Sequence, residues 1–137
     1  MRKKDNGFLI VVGIVLLVIC GIFVYKFLTN NETKAYQNYV KEMEDAILEY
    51  CDNEMAVDFD SVVYSYDELK NILISKGHIK EFSDSSVIVS AEPITLSKSN
   101  GQISFYNYNN STTFENRFEL KFQKDGKTYT CTKNGCE

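Results

Sequence analysis

FLIVVGIVLLVICGIFVYKFL, residues Phe8–Leu28, is the stretch that decides the fold, and Lys26 is its only charge. As a helix it would run about 31 Å at 1.5 Å per residue, close to the thickness of a bilayer's hydrocarbon core. Lys26 stands near one end, where its stem can follow apolar surface to the headgroups, and Tyr25 suits the interface. Arg2, Lys3 and Lys4 precede the run and predict a cytoplasmic N-terminus. A cleavable secretory signal would be shorter and would end in a small-x-small site, which Tyr25-Lys26-Phe27-Leu28-Thr29 does not offer. A core helix apolar on every face would need a much larger protein than 137 residues to cover it. The reading is a transmembrane helix over 8–28, a cytoplasmic basic leader over 1–7 and an extracytoplasmic domain over 29–137.

Charge divides the same way. Residues 1–28 carry four basic side chains and Asp5, a net of +3, so the overall −4 leaves −7 for the remainder. An acidic body behind a basic stub lacks the basic footprint of a nucleic-acid binder. With one histidine, His78, and neither a phosphate-cradling glycine loop nor a Cys-x-x-Cys pair, the sequence predicts no enzyme, no cofactor and no metal.

Beyond the apolar run, Tyr36, Tyr39, Val40, Met43, Ala46, Ile47, Tyr50 and Cys51 recur at three- and four-residue spacings, which predicts an amphipathic helix from Glu32 to about Asn53. Ser65 with Glu68 forms a capping box, and Gly77 followed by Ile79 suits a left-handed stop, so a second helix is expected over Tyr66–Lys76. After Phe82 the period becomes two. Strands are expected at Ser86–Ala91, Gln102–Tyr108, Thr113–Gln123 and Lys127–Thr132, with Pro93 marking an edge or bulge. In Thr113–Gln123, Phe114, Asn116, Phe118, Leu120 and Phe122 share one face. The fold class is α+β: an N-terminal transmembrane helix continuing into an amphipathic helix packed on a small antiparallel sheet.

Cys51, Cys131 and Cys136 fall outside the apolar run, where disulfides persist, and three thiols allow one pair. Cys131 and Cys136 flank an Asn-Gly turn that brings them close; Cys51 could instead tie the long helix to either. Loop-closure entropy gives the short ring roughly 2 kcal/mol and a loop of roughly 80 residues about 4.5 kcal/mol. Energy favours the long tie and proximity the short one. The acidic run from Glu42 to Asp60 lacks the spacing of a calcium loop and reads as a solvated face.

A basic leader, Gly7-Phe8, an apolar helix passing into an amphipathic one and then a small sheet resemble a type IV pilin or pseudopilin. Tyr66-Asp67-Glu68-Leu69 through Lys76-Gly77-His78-Ile79 is similar to a stretch of the small prepilin-like proteins of low-GC Gram-positive bacteria. The resemblance implies processing between Gly7 and Phe8 and packing of the freed helix into a filament of pilin-like subunits. Val12 stands where that family carries a carboxylate, and its mid-helix proline is missing. Those departures imply a minor component of a type II secretion or type IV pilus-like filament. The expected setting is the cell membrane, with the bilayer, other pilin-like subunits or an assembly machine as partners. The alternative is an uncleaved, membrane-tethered binding or regulatory domain outside the cell.

Overall fold

The computed structural model describes the backbone of residues 2–137 and the side chains of residues 10–22 and 31–137. Two compact units divide the chain, Met1–Glu32 and Thr33–Glu137.

Helix α1 runs over Arg2–Asn53. Among the described residues no helix is long and apolar enough to cross a membrane, which corrects the expected transmembrane helix. The described apolar run, Ile10–Ile22, makes about 20 Å of helix, against a hydrocarbon core of about 30 Å. Phe8, Leu9 and Phe23–Leu28, on which the rest of the expected span falls, lie outside the described side chains.

The second correction concerns the sheet. Instead of one small sheet, the unit Thr33–Glu137 has nine strands in three antiparallel sheets. β1 (Phe59–Tyr64), β3 (Ile94–Ser99) and β4 (Gln102–Tyr106) form one, in the order β1-β3-β4. β2 (Ile88–Ser90), β7 (Leu120–Lys124), β8 (Lys127–Thr132) and β9 (Gly135–Cys136) form the second, in the order β2-β7-β8-β9. β5 (Tyr108–Asn110) and β6 (Glu115–Arg117) pair as a separate ribbon.

Turn chemistry explains the hairpins. Asn100-Gly101 and Asp125-Gly126 join β3 to β4 and β7 to β8, all four residues having φ between 51° and 77°. Two consecutive left-handed residues match the twist of the flanking strands. Helix α2 (Tyr66–Ser75) opens with the Ser65 hydroxyl accepting the Glu68 N–H at 3.2 Å. It closes with two backbone bonds, His78 N–H to Leu73 O and Gly77 N–H to Ile74 O, around Gly77 at φ 77°. That is a Schellman ending.

Two sequence readings meet a different geometry. Pro93 precedes the central strand β3 rather than marking an edge, and because it lies one residue before the strand no ladder donor is lost. The expected strand Thr113–Gln123 breaks in two. Phe114 turns away with φ 54°, β6 ends at Arg117, and β7 begins at Leu120 in another sheet. The Asn107 side chain bridges the break, donating to Glu119 O at 2.6 Å and accepting from the Glu119 N–H at 2.9 Å. One amide thus does the work of a strand neighbour where two sheets part.

The core is shared by α1 and the sheets. Tyr36, Tyr39, Val40, Met43, Ala46, Ile47 and Cys51 are buried against Leu69, Leu73, Ile94, Leu96, Phe118, Leu120 and Phe122. Tyr36 stacks on Phe122 with centroids 4.4 Å apart, and Phe82 meets both Tyr39 and Phe122 edge-on. Lys98 is buried beneath the end of α1, where its ammonium donates to Ala56 O at 3.1 Å, Met55 O at 3.3 Å and Cys51 O at 3.5 Å. A cation at the C-terminal end of a helix meets its orphan carbonyls and the negative end of its dipole.

Candidate functional site

Strand register places the cysteines. Cys131 on β8 lies directly opposite Cys136 on β9, and the two are joined as a disulfide. Cys51 is not part of it: this thiol is fully buried on the core face of α1. Burial pushes its pKa up, Asp52 adds to the shift, and Lys98 opposes it. A thiol held protonated in apolar surroundings is a packing group and a poor nucleophile. Cys20 is free and exposed. The proposed processing pair, Gly7 and Phe8, lies outside the described side chains.

His78 is spent on structure. Its Nδ1 is 3.5 Å from Glu49 Oε2, its ring stands edge-on to Tyr50, and its buried Nε2 has no hydrogen-bond partner among the described residues. Beside it, Lys76 pairs with Glu54 at 3.6 Å, so the last turn of α2 is tied to α1. The acidic stretch is likewise dispersed. Asp58 accepts the backbone N–H groups of Asn100 and Gly101, at 2.7 and 3.0 Å, and so fixes the β3–β4 turn. Among the described residues no group of three or more histidine, cysteine or carboxylate side chains converges as a metal site.

What Thr33–Glu137 does present is surface relief. The β5–β6 ribbon ends in a turn where the Asn110 side chain accepts the N–H groups of Thr112 and Thr113 at 3.0 and 3.4 Å. Phe114 follows, 91 % exposed. Below it Arg117 lies 4.0 Å over the Tyr108 ring and pairs with Glu119 at 3.2 Å and Glu115 at 3.6 Å, which braces the ribbon. Between the ribbon and α1 is a cleft of about 370 Å³, lined by Glu44, Phe105, Asn116 and Lys133 among others. Burial raises the Glu44 pKa, Lys133 opposes the shift and Asp45 adds to it.

A second cleft, of about 340 Å³, opens between α1 and the segment after α2, lined by Ala35, Tyr39, Phe82 and Lys80. The Tyr39 hydroxyl donates to Lys80 O at 2.8 Å. Burial, with Glu81 adding, pushes its pKa up to about 12, so it stays a neutral donor. These two clefts and the Phe114 knob are the relief at the surface of the domain. The sequence reading missed them because Phe114 sits in an unbroken alternation. The available signal was the run Asn110-Ser111-Thr112-Thr113 just before it, four residues that favour turns.

Comparison with protein-family models, curated proteins and solved structures finds no match for this chain.

Proposed function

We propose that this chain is a non-enzymatic structural protein of the pilin-like class, held at the membrane by its apolar N-terminal helix. Its disulfide-tied domain would be displayed outside the cell as a minor component of a secretion or pilus-like filament. One observation carries the reading. Ile10, Val11, Ile14, Leu16, Leu17, Val18 and Ile22 are each more than half exposed, and they point to every side of α1. A helix apolar all round does not remain in water. A cover of lipid or of neighbouring helices answers that need. The Cys131–Cys136 bond supports an oxidising setting. Val12 favours a second reading, an uncleaved tethered binding or regulatory domain, because a new N-terminal amine at Phe8 would find no carboxylate there.

Cell fractionation with and without detergent tests the anchor: the reading requires the membrane fraction, and recovery in the aqueous fraction overturns it. The intact mass then separates the two forms. A mature N-terminus at Phe8 supports the filament subunit, and an intact Met1 supports the tethered domain.

A further inference from the structure

We propose that the Cys131–Cys136 disulfide is a reducible latch: a small dithiol opens it in the folded domain, the tail 133–137 comes free, and β8 becomes an edge strand. The two sulfurs differ in access. Cys131 is fully buried in the core, whereas Cys136 is partly buried and lines a cleft of about 280 Å³ with Arg117, Thr130, Asn134 and Glu137. Access decides which sulfur of a disulfide a thiolate attacks. Cys136 Sγ is the one that an incoming reductant meets.

The tail depends on that bond. β9 is two residues long, against about five or six for an ordinary strand, and it is the outermost strand of its sheet. It rests on β8 through the facing pairs Cys131–Cys136 and Thr132–Gly135, and beyond them Thr130 and Glu137 exchange backbone bonds at 3.1 and 2.9 Å. The disulfide is the covalent tie in the middle of this short ladder. Cys136 Sγ also lies 3.6 Å from Thr33 O, where the domain's part of α1 begins. With the bond open, the tail keeps a turn and a few hydrogen bonds at a sheet edge, a hold too weak to keep so short a strand in place.

The exchange balances. The reductant's thiolate attacks Cys136 Sγ and forms a mixed disulfide there, the Cys131–Cys136 bond breaks, and its electron pair passes to Cys131 Sγ. The second thiol of the reductant then displaces Cys136. The dithiol ends as a cyclic disulfide, and its two protons end on the two cysteines. Cys131 stays packed, because β8 holds it in the core opposite Leu120 on β7. Backbone N–H groups alternate along a strand, so Thr130 and Thr132 face β9 while Tyr129 and Cys131 face β7. Release of the tail therefore uncovers one edge of β8 and leaves the other paired. An uncovered edge is a template for a strand from another chain.

The latch lies within one compact unit and does not depend on the anchor reading. The test uses the full-length chain in detergent, reduced with dithiothreitol at neutral pH without denaturant and then treated with iodoacetamide. Peptide mass spectrometry should find Cys136 alkylated, with the fully buried Cys131 and Cys51 reacting at least about tenfold more slowly. Amide exchange followed residue by residue should speed up about tenfold or more at Thr130 and stay unchanged at Cys131. Replacing the reductant by oxidised glutathione should restore both. Cys136→Ala should exchange at Thr130 like the reduced parent, with no reductant added. A bond that survives dithiothreitol until urea unfolds the domain, Cys51 alkylated in step with Cys136, or a Thr130 amide still protected after reduction would each overturn the proposal. A chain recovered in the aqueous fraction that still opens in this way would sink the anchor and leave the latch standing.

Discussion

Two stretches of α1 share a backbone conformation and differ in what surrounds them. Over Ile10–Ile22 the large apolar side chains are 38–74 % exposed, whereas Tyr36, Tyr39, Val40, Met43, Ile47 and Cys51 are at most 5 % exposed. Hydrogen bonding along the helix is the same in kind for both, so it cannot be the source of the difference. Isolated helices are marginal in water, and most helical stability in proteins comes from packing an apolar face. The second stretch has its cover within the chain. The first shows no such cover among the described residues.

The largest expected effect comes from removing that internal cover. Ile47→Ala should lower the unfolding free energy by about 2–5 kcal/mol, the cost of a core truncation. Leu17→Ala, at a site 74 % exposed, should stay within about 0.5 kcal/mol. Urea titration of the detergent-solubilised chain measures both, and equal shifts would erase the contrast between the stretches. Next in size is the Cys131–Cys136 bond, which closes a short ring at the edge of a sheet. Cys131→Ser with Cys136→Ser should cost about 2 kcal/mol, read as a lower urea midpoint that reducing agent no longer shifts. Ser65→Ala removes the cap of α2 and should cost about 1 kcal/mol, visible in the same titration.

The smallest effect sharpens the comparison at the surface of the domain. The Asp84 carboxyl is pulled from 3.8 to about 2, first by the Ser86 hydroxyl and backbone N–H, then by Lys124. A depressed carboxyl pKa favours the folded state wherever the group is ionised. Its contribution is complete above the unfolded value of 3.8 and is lost as pH falls towards about 2. Asp84→Asn should therefore lower stability slightly at neutral pH, where that contribution is complete, and make no difference below about 2, so that the acid limb between 3.8 and about 2 is flattened. An acid limb identical to the parent's would remove Asp84 from the account.

Local signals were the legible part of this fold. Ser65, Glu68 and Gly77 mark the ends of α2 through bonds within a few residues, and the spacing Tyr36 to Cys51 marks the buried face of α1. Asn100-Gly101 specifies its own turn. The illegible parts depend on residues distant in the chain. Alternation over Thr113–Gln123 is indifferent to which sheet each half joins, and the break is set by Asn107 reaching across to Glu119. Lys98 reads as an exposed charge until the end of α1 is laid over it. The candidate site is less legible still, because the exposed Phe114 and the cleft lined by Tyr39 and Phe82 belong to different parts of the chain. The expected small single sheet failed for the same reason: strand propensity marks where a chain extends and says nothing about where one ladder stops and another begins.

The Asn107 amide has a chemical frailty of its own. Its nitrogen gives and its oxygen receives, both at Glu119, so hydrolysis of the side chain to aspartate would turn the giving end into a second acceptor aimed at a carbonyl. Slow deamidation at this one position would unfasten the seam between neighbouring ladders without cutting the polypeptide.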